Sequence, residues 1–65
     1  MKVWKLMILE VEQKAIAKFG KKKYISLLAI LSHRSEDSIL FFFTLNKPPS
    51  LSIYAELLMV VEKHN

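Results

Sequence analysis

The chain has no cysteine, a single glycine and only two prolines. Without cysteine, neither a disulfide framework nor a thiolate zinc site can form, and the composition is compatible with a reducing compartment. One glycine excludes the glycine-rich loops that hold nucleotide phosphates. The two histidines, His33 and His64, are too few and too far apart for a metal site without help from carboxylates. We therefore expect no metal and no cofactor.

Long apolar runs are also missing. The longest uninterrupted runs span five residues, as in 27–31 and 39–43, whereas a transmembrane helix needs about 20. The first residues lack the apolar stretch of roughly 7–15 residues that a secretory signal contains. These absences predict a soluble, cytoplasmic protein that does not associate with membranes.

The length of 65 residues predicts a single domain over residues 1–65. A chain of this size buries only roughly 60% of the surface that its unfolded form exposes, so its stability is marginal. The high apolar content, 52% of residues, can compensate within one copy or across an interface between copies. We expect a homodimer.

Positive charge is concentrated at the start of the chain. The first 24 positions hold seven of the ten basic residues and only two acids, Glu10 and Glu12, for a net charge of +5. From residue 25 onward, three bases and four acids give a net charge of −1 in a largely apolar segment. This segregation predicts one surface able to meet an anion and another that is buried in the core or against a second copy.

Three marks divide the chain into four segments: Gly20, the polar cluster 32–38 and the proline-containing segment 46–50. The first segment, 2–19, is rich in strong helix formers. Gly20 follows it at the position where a helix commonly ends with a residue in the left-handed conformation. The last segment starts at a serine after two prolines and carries apolar residues at helical spacing up to Lys63. Both segments predict helices.

The two middle segments permit two structures. Short continuous apolar runs at 24–32 and 38–45 are typical of either buried strands or buried helices. High strand propensity in 39–45 favours a hairpin, whereas Ser35 followed by Glu36 and Asp37 favours a capped helix. We favour an all-α bundle of about four helices, helix-turn-helix-like; the alternative is an α+β fold with a central hairpin 24–32/38–45 flanked by helices.

Two groups of residues are candidates for binding. Lys14, Lys18 and Lys22 are spaced i, i+4, i+8, and together with Lys21 and Lys23 they would form a basic stripe on a continuous helix. Such a stripe can follow a phosphate backbone, or it can be a solvated face that keeps an apolar protein in solution. A helix that ends at Gly20 would instead move the last three lysines into a loop.

The second group is the phenylalanine run. Phe41, Phe42 and Phe43 are candidates for an interface with another copy, because a chain of this size has difficulty burying both central apolar runs.

No catalytic arrangement is evident. His33, Ser35 and Asp37 lie close in sequence, but they occupy a polar connection in which capping and turn formation account for them. The chain is therefore not expected to be an enzyme or to bind a small-molecule substrate.

A spacing of apolar and capping residues runs without gaps from residue 28 to residue 61. Its members are Leu28, Ala29, Ser35, Ile39, Phe42, the loop segment 49–51, Leu57 and Val61. This spacing is similar to that of Cro/C1-repressor-type helix-turn-helix domains, and it covers about half the chain. The resemblance implies a four-helix fold, with Ser35 capping the third, recognition helix and Ile39 anchoring it. It further implies a dimeric DNA-binding protein of transcription regulation.

The sequence differs from that family at the turn and on the third helix. His33 replaces the turn glycine, and Glu36 and Asp37 occupy the segment that in such proteins offers basic or amide side chains to base edges. Contact with nucleic acid would therefore depend on the N-terminal lysines. The leading hypothesis is a small basic nucleic-acid-binding regulator; the alternative is a self-association or protein-interaction module with no nucleic-acid role.

Overall fold

The computed structural model describes residues 2–63, which form four α-helices. These are α1 (Val3–Phe19), α2 (Tyr24–Ser32), α3 (Glu36–Phe43) and α4 (Leu51–Lys63). The expected all-helical bundle is confirmed, and the alternative with a central hairpin is wrong. The two apolar runs that permitted either helix or strand lie in α2 and α3. They are helical because groups in the connection between them form hydrogen bonds with the free backbone groups at the helix ends.

The first helix ends at Gly20. The Gly20 N–H donates to the Ile16 carbonyl over 2.8 Å, and the backbone then turns with φ 94° and ψ 148°. The positive φ is the reason that glycine suits this position, although its ψ lies outside the left-handed helical region that we expected. Residues 21–23 form a turn, and α2 begins directly after them.

The connection between α2 and α3 is three residues long. His33 adopts a left-handed conformation (φ 58°, ψ 40°), which allows the Arg34 N–H to donate to the Ala29 carbonyl over 2.9 Å. Ser35 then caps α3, because its Oγ accepts the Ser38 N–H over 3.1 Å. The predicted cap is confirmed.

All four helices contribute to one core. The buried apolar residues are Ile8, Val11 and Ala15 of α1, Leu28 and Ala29 of α2, Ile39 and Phe42 of α3, and Leu57 and Val61 of α4. The radius of gyration, 10.8 Å, equals the roughly 11 Å expected of a compact chain of this length. No helix within residues 2–63 combines the length and apolar character needed to cross a bilayer.

Polar contacts fix α4 against the rest of the bundle. Arg34, in the turn before α3, donates from Nε and Nη2 to Oε1 of Glu56 over 2.8 and 2.6 Å. On the α1 side, Tyr54 contacts Glu10 and Glu62 contacts Lys14. Tyr54 precedes Glu62 in α4, and their partners Glu10 and Lys14 follow each other in the same order in α1. The two helices therefore run in the same general direction.

Candidate nucleic-acid interface

Four exposed lysines lie where α1 turns into α2. Lys18 belongs to the last turn of α1, Lys21 and Lys22 lie in the turn after Gly20, and Lys23 is the N-cap residue of α2. We call these four residues the basic corner. They are close together because α1 ends at Phe19, so that the three lysines after Gly20 lie in the turn beside the end of the helix.

In the part of the chain that the structure describes, no carboxylate pairs with the basic corner. Within residues 2–63, the ion pairs involve other side chains, and none of the four lysines lies within 4.0 Å of a carboxylate oxygen. The N-terminus of α2 has neither a side-chain cap nor an acid in its first turn. The positive end of the helix dipole therefore adds to the charge of the lysines, and the corner is suited to an anion.

Lys14 is separated from the basic corner by its contacts. Its Nζ lies 3.3 Å from Oε2 of Glu10 and 3.4 Å from Oε1 of Glu62. Hydrogen bonds to Glu10, and then to Glu62, raise the pKa of Lys14 above its ordinary value. This lysine is neutralised within the bundle, so it differs from the other four candidates.

The predicted stripe of lysines is therefore divided. Because α1 ends at Phe19, Lys22 does not continue the helical spacing of Lys14 and Lys18. The reason is local: Gly20 stops the helix one turn before the stripe would be complete. The lysines instead form a compact corner at one end of the bundle.

The sequence did not predict the network of hydrogen bonds and ion pairs in which Lys14 takes part. The Tyr54 hydroxyl donates to Oε1 of Glu10 over 2.7 Å, and Lys14 approaches the other oxygen of the same carboxylate. The Tyr54 hydrogen bond, followed by that of Lys14, lowers the pKa of Glu10. The i, i+4 spacing of Glu10 and Lys14 was a visible signal, but no sequence signal linked Glu10 to Tyr54, which lies 44 positions away.

A second tyrosine attaches α2 to α1. The Tyr24 hydroxyl donates to Oε2 of Glu12 over 3.0 Å, and burial together with this hydrogen bond raises the pKa of Tyr24. The Tyr24 ring also contacts the Phe43 ring, at 5.7 Å between centroids. Tyr24 thus links α2 to both α1 and α3.

The outer face of α3 carries acids and apolar residues. Glu36, Asp37, Leu40 and Phe41 are exposed, and the helix contains no basic or amide side chain. Carboxylates repel phosphates, and phenylalanine and leucine provide no hydrogen-bond donors to base edges. The outer face of α3 is therefore poorly suited to contact with nucleic acid.

The three phenylalanines have different environments. Phe42 is only 3% exposed and lies in the core, Phe43 is half-buried with its ring 5.3 Å from the Phe42 ring, and Phe41 is 63% exposed. Of the predicted interface trio, only Phe41 is fully available to a partner. It lines a groove of about 540 Å³ between α3, the connection 44–50 and the start of α4.

Within the described range 2–63, no three His, Asp or Glu side chains lie together in a way that could hold a metal ion. Ser35 is engaged in capping α3 and also donates to the Ser38 hydroxyl.

No family model, curated protein or solved structure matches this chain.

Proposed function

We propose that this protein is a small nucleic-acid-binding regulator of the cytoplasm that contacts DNA phosphates through the basic corner and acts by binding rather than by catalysis. The observation that carries this proposal is the set of four exposed lysines that have no carboxylate partner within residues 2–63 and lie beside the N-terminus of α2, which has no side-chain cap. An anion at this corner would offset both the lysine charges and the helix dipole. Lys14 plays no direct part, because Glu10 and Glu62 neutralise it.

The resemblance to repressor-type helix-turn-helix domains supports DNA as the nucleic acid. The short connection between α2 and α3 and the serine cap on α3 support that class; His33, which stands in place of the family's turn glycine, is a departure from it, although its backbone is left-handed. The acidic first turn of α3 argues against reading of bases by that helix. We therefore expect binding that depends strongly on salt and little on sequence.

The salt dependence of binding tests this proposal quantitatively. If the four lysines neutralise four phosphates, the logarithm of the association constant for duplex DNA falls against the logarithm of salt concentration with a slope of about −3 to −4. Fluorescence anisotropy with a labelled duplex, measured from low to moderate salt, gives this slope. Removal of one lysine should reduce it by about one unit.

A pair of charge-matched variants locates the site. Lys21→Glu with Lys22→Glu reverses two charges at the basic corner, whereas Lys5→Glu with Lys47→Glu reverses two exposed charges elsewhere. Binding should be lost in the first variant and largely kept in the second. If the unmodified protein binds neither duplex nor single-stranded DNA or RNA at low salt, the lysines are a solvated face and the proposal fails.

The second candidate function is self-association without a nucleic-acid role. The observation that favours it is the amount of large apolar surface left exposed on a chain of this size. Exposed large apolar residues in the range 2–63 are Val3, Leu6, Leu9, Ile30, Leu40, Phe41, Leu51 and Met59. Association through such surfaces persists or strengthens at high salt, whereas phosphate binding weakens, so a salt series distinguishes the two functions.

A further inference from the structure

A small group of charged side chains borders the basic corner on the α1 side. Lys14 Nζ lies 3.3 Å from Oε2 of Glu10 and 3.4 Å from Oε1 of Glu62. We call these three residues the Lys14 cluster. Because one lysine meets two carboxylates, the cluster carries a net charge of −1 at neutral pH.

The Lys14 cluster is adjacent to Lys18, a member of the basic corner. Lys14 and Lys18 are four residues apart in α1, so they lie on one face of the helix about one turn apart. Both lysines line a cleft of about 240 Å³, together with Ala17, Val61 and Glu62. Glu62 therefore borders both lysines, and the net negative charge of the cluster acts on the edge of the basic corner.

The stability of α4 does not account for Glu62. This residue stands in the last turn of α4, which ends at Lys63. The C-terminal end of a helix dipole is negative, so a carboxylate there is unfavourably placed. The ion pair with Lys14 joins two exposed side chains, and such pairs contribute little to stability. A neutral side chain of the same shape at position 62 should therefore leave the fold unchanged.

We infer that Glu62 limits the affinity of the basic corner for nucleic acid, because it holds Lys14 away from phosphates and places excess negative charge beside Lys18. This role, which rests on the proposed function, follows from charge repulsion. A phosphate that approaches Lys14 meets two carboxylates. The phosphate backbone therefore contacts the four lysines of the corner and stops short of Lys14, so Glu62 sets one edge of the interface.

Without the carboxylate of Glu62, Lys14 becomes a fifth phosphate contact. The cluster then contains one lysine and one carboxylate and has no net charge. The remaining pair of Glu10 and Lys14 is exposed on both sides, and pairs of this kind are weak enough for a phosphate to displace. Lys14 lies one helical turn from Lys18, so its side chain can reach the same phosphate backbone.

Two variants with the same change in net charge test this role. Glu62→Gln removes one carboxylate from the Lys14 cluster, and Glu36→Gln makes the same change in the first turn of α3. Within residues 2–63, Glu36 forms no ion pair. The length of α2, roughly 13 Å, separates it from the basic corner and exceeds the screening length of about 10 Å at ~0.1 M salt. Fluorescence anisotropy with a labelled duplex measures the affinity and salt dependence of each protein.

Glu62→Gln should raise the association constant at least about threefold and steepen its salt slope by about one unit, because it adds one phosphate contact. Glu36→Gln should leave the slope unchanged and the affinity nearly so. Lys14→Gln combined with Glu62→Gln restores the net charge of the unmodified protein and should restore its slope. Circular dichroism and thermal melts should show that all of these variants fold like the unmodified protein.

Two results would overturn the inference and leave the proposed function standing. Equal gains in affinity for Glu62→Gln and Glu36→Gln would mean that only the net charge of the protein matters. A steeper slope that persists in the double variant would mean that the added contact comes from a residue other than Lys14. If neither the unmodified protein nor Glu62→Gln binds nucleic acid at low salt, the proposed function and the inference fail together.

Discussion

Tyr54 of α4 donates a 2.7 Å hydrogen bond to Oε1 of Glu10 in α1, and this contact joins two residues that are 44 positions apart in the chain. Lys14 approaches the second oxygen of Glu10 over 3.3 Å and links it to Glu62. The network covers one side of the α1 and α4 contact. Because Lys14 is paired with two carboxylates there, it is less available to an anion than the four lysines of the basic corner.

Tyr54→Phe should raise the pKa of Glu10 towards its ordinary value, because the variant removes the largest cause of its lowered pKa. A lowered carboxyl pKa contributes stability that is present above the unfolded-state pKa and is lost as pH falls through the folded-state pKa. The variant should therefore be less stable than the unmodified protein near neutral pH, and the difference should disappear in acid. Thermal melts across pH 2–7, with the Glu10 titration followed by NMR, measure both effects. An unchanged Glu10 titration would show that the hydrogen bond is not formed.

Ser35→Ala should destabilise the protein by about 1 kcal/mol, the usual cost of losing an N-cap. Ser35 Oγ accepts the Ser38 N–H, and alanine leaves that donor without its partner. Ser35→Asp supplies another capping oxygen and should retain most of the stability. Urea unfolding of the three proteins measures the difference, and equal losses in both variants would contradict a capping role.

His33→Gly should stabilise the protein by up to about 1 kcal/mol. A non-glycine residue in the left-handed region costs roughly 1–2 kcal/mol, and the greater flexibility of glycine in the unfolded chain cancels part of that gain. His33 has φ 58° and ψ 40°, so glycine fits without strain. His33→Val is the matched opposite change and should destabilise, because a β-branched residue is poorly tolerated at positive φ. Thermal unfolding compares the three, and a destabilised glycine variant would contradict the conformational argument.

Phe42→Asp should unfold the protein, whereas Phe41→Asp should leave the fold intact. The two side chains are adjacent in sequence but are 3% and 63% exposed. An aspartate at position 42 would bury an unpaired charge and remove a core ring, and each of these effects alone exceeds about 3 kcal/mol. Far-ultraviolet circular dichroism at 25 °C should show helix loss in the first variant only. A folded Phe42→Asp variant would place that residue outside the core.

The sequence by itself determined where the helices begin and end and how charge is distributed, although it left the two middle apolar runs open between helix and strand. Gly20 ends α1, Ser35 starts α3 and the proline segment precedes α4, because capping and turn formation depend on residues within a few positions of one another. The concentration of lysine before residue 25 is likewise a property of the chain alone. These signals are local, so they were accessible without knowledge of packing.

Only the tertiary structure decided which of those residues are available. Lys14 and Lys18 are equivalent in sequence and both lie beside the end of α4, yet within residues 2–63 only Lys14 comes within 4.0 Å of carboxylate oxygens, those of Glu10 and Glu62. Phe41 and Phe42 have identical propensities, but successive helical residues point about 100° apart and the position of the core selects one for burial. Packing likewise selected the side of α1 that faces the core, since a helix with apolar residues on all sides has no preferred face until its neighbours are in place.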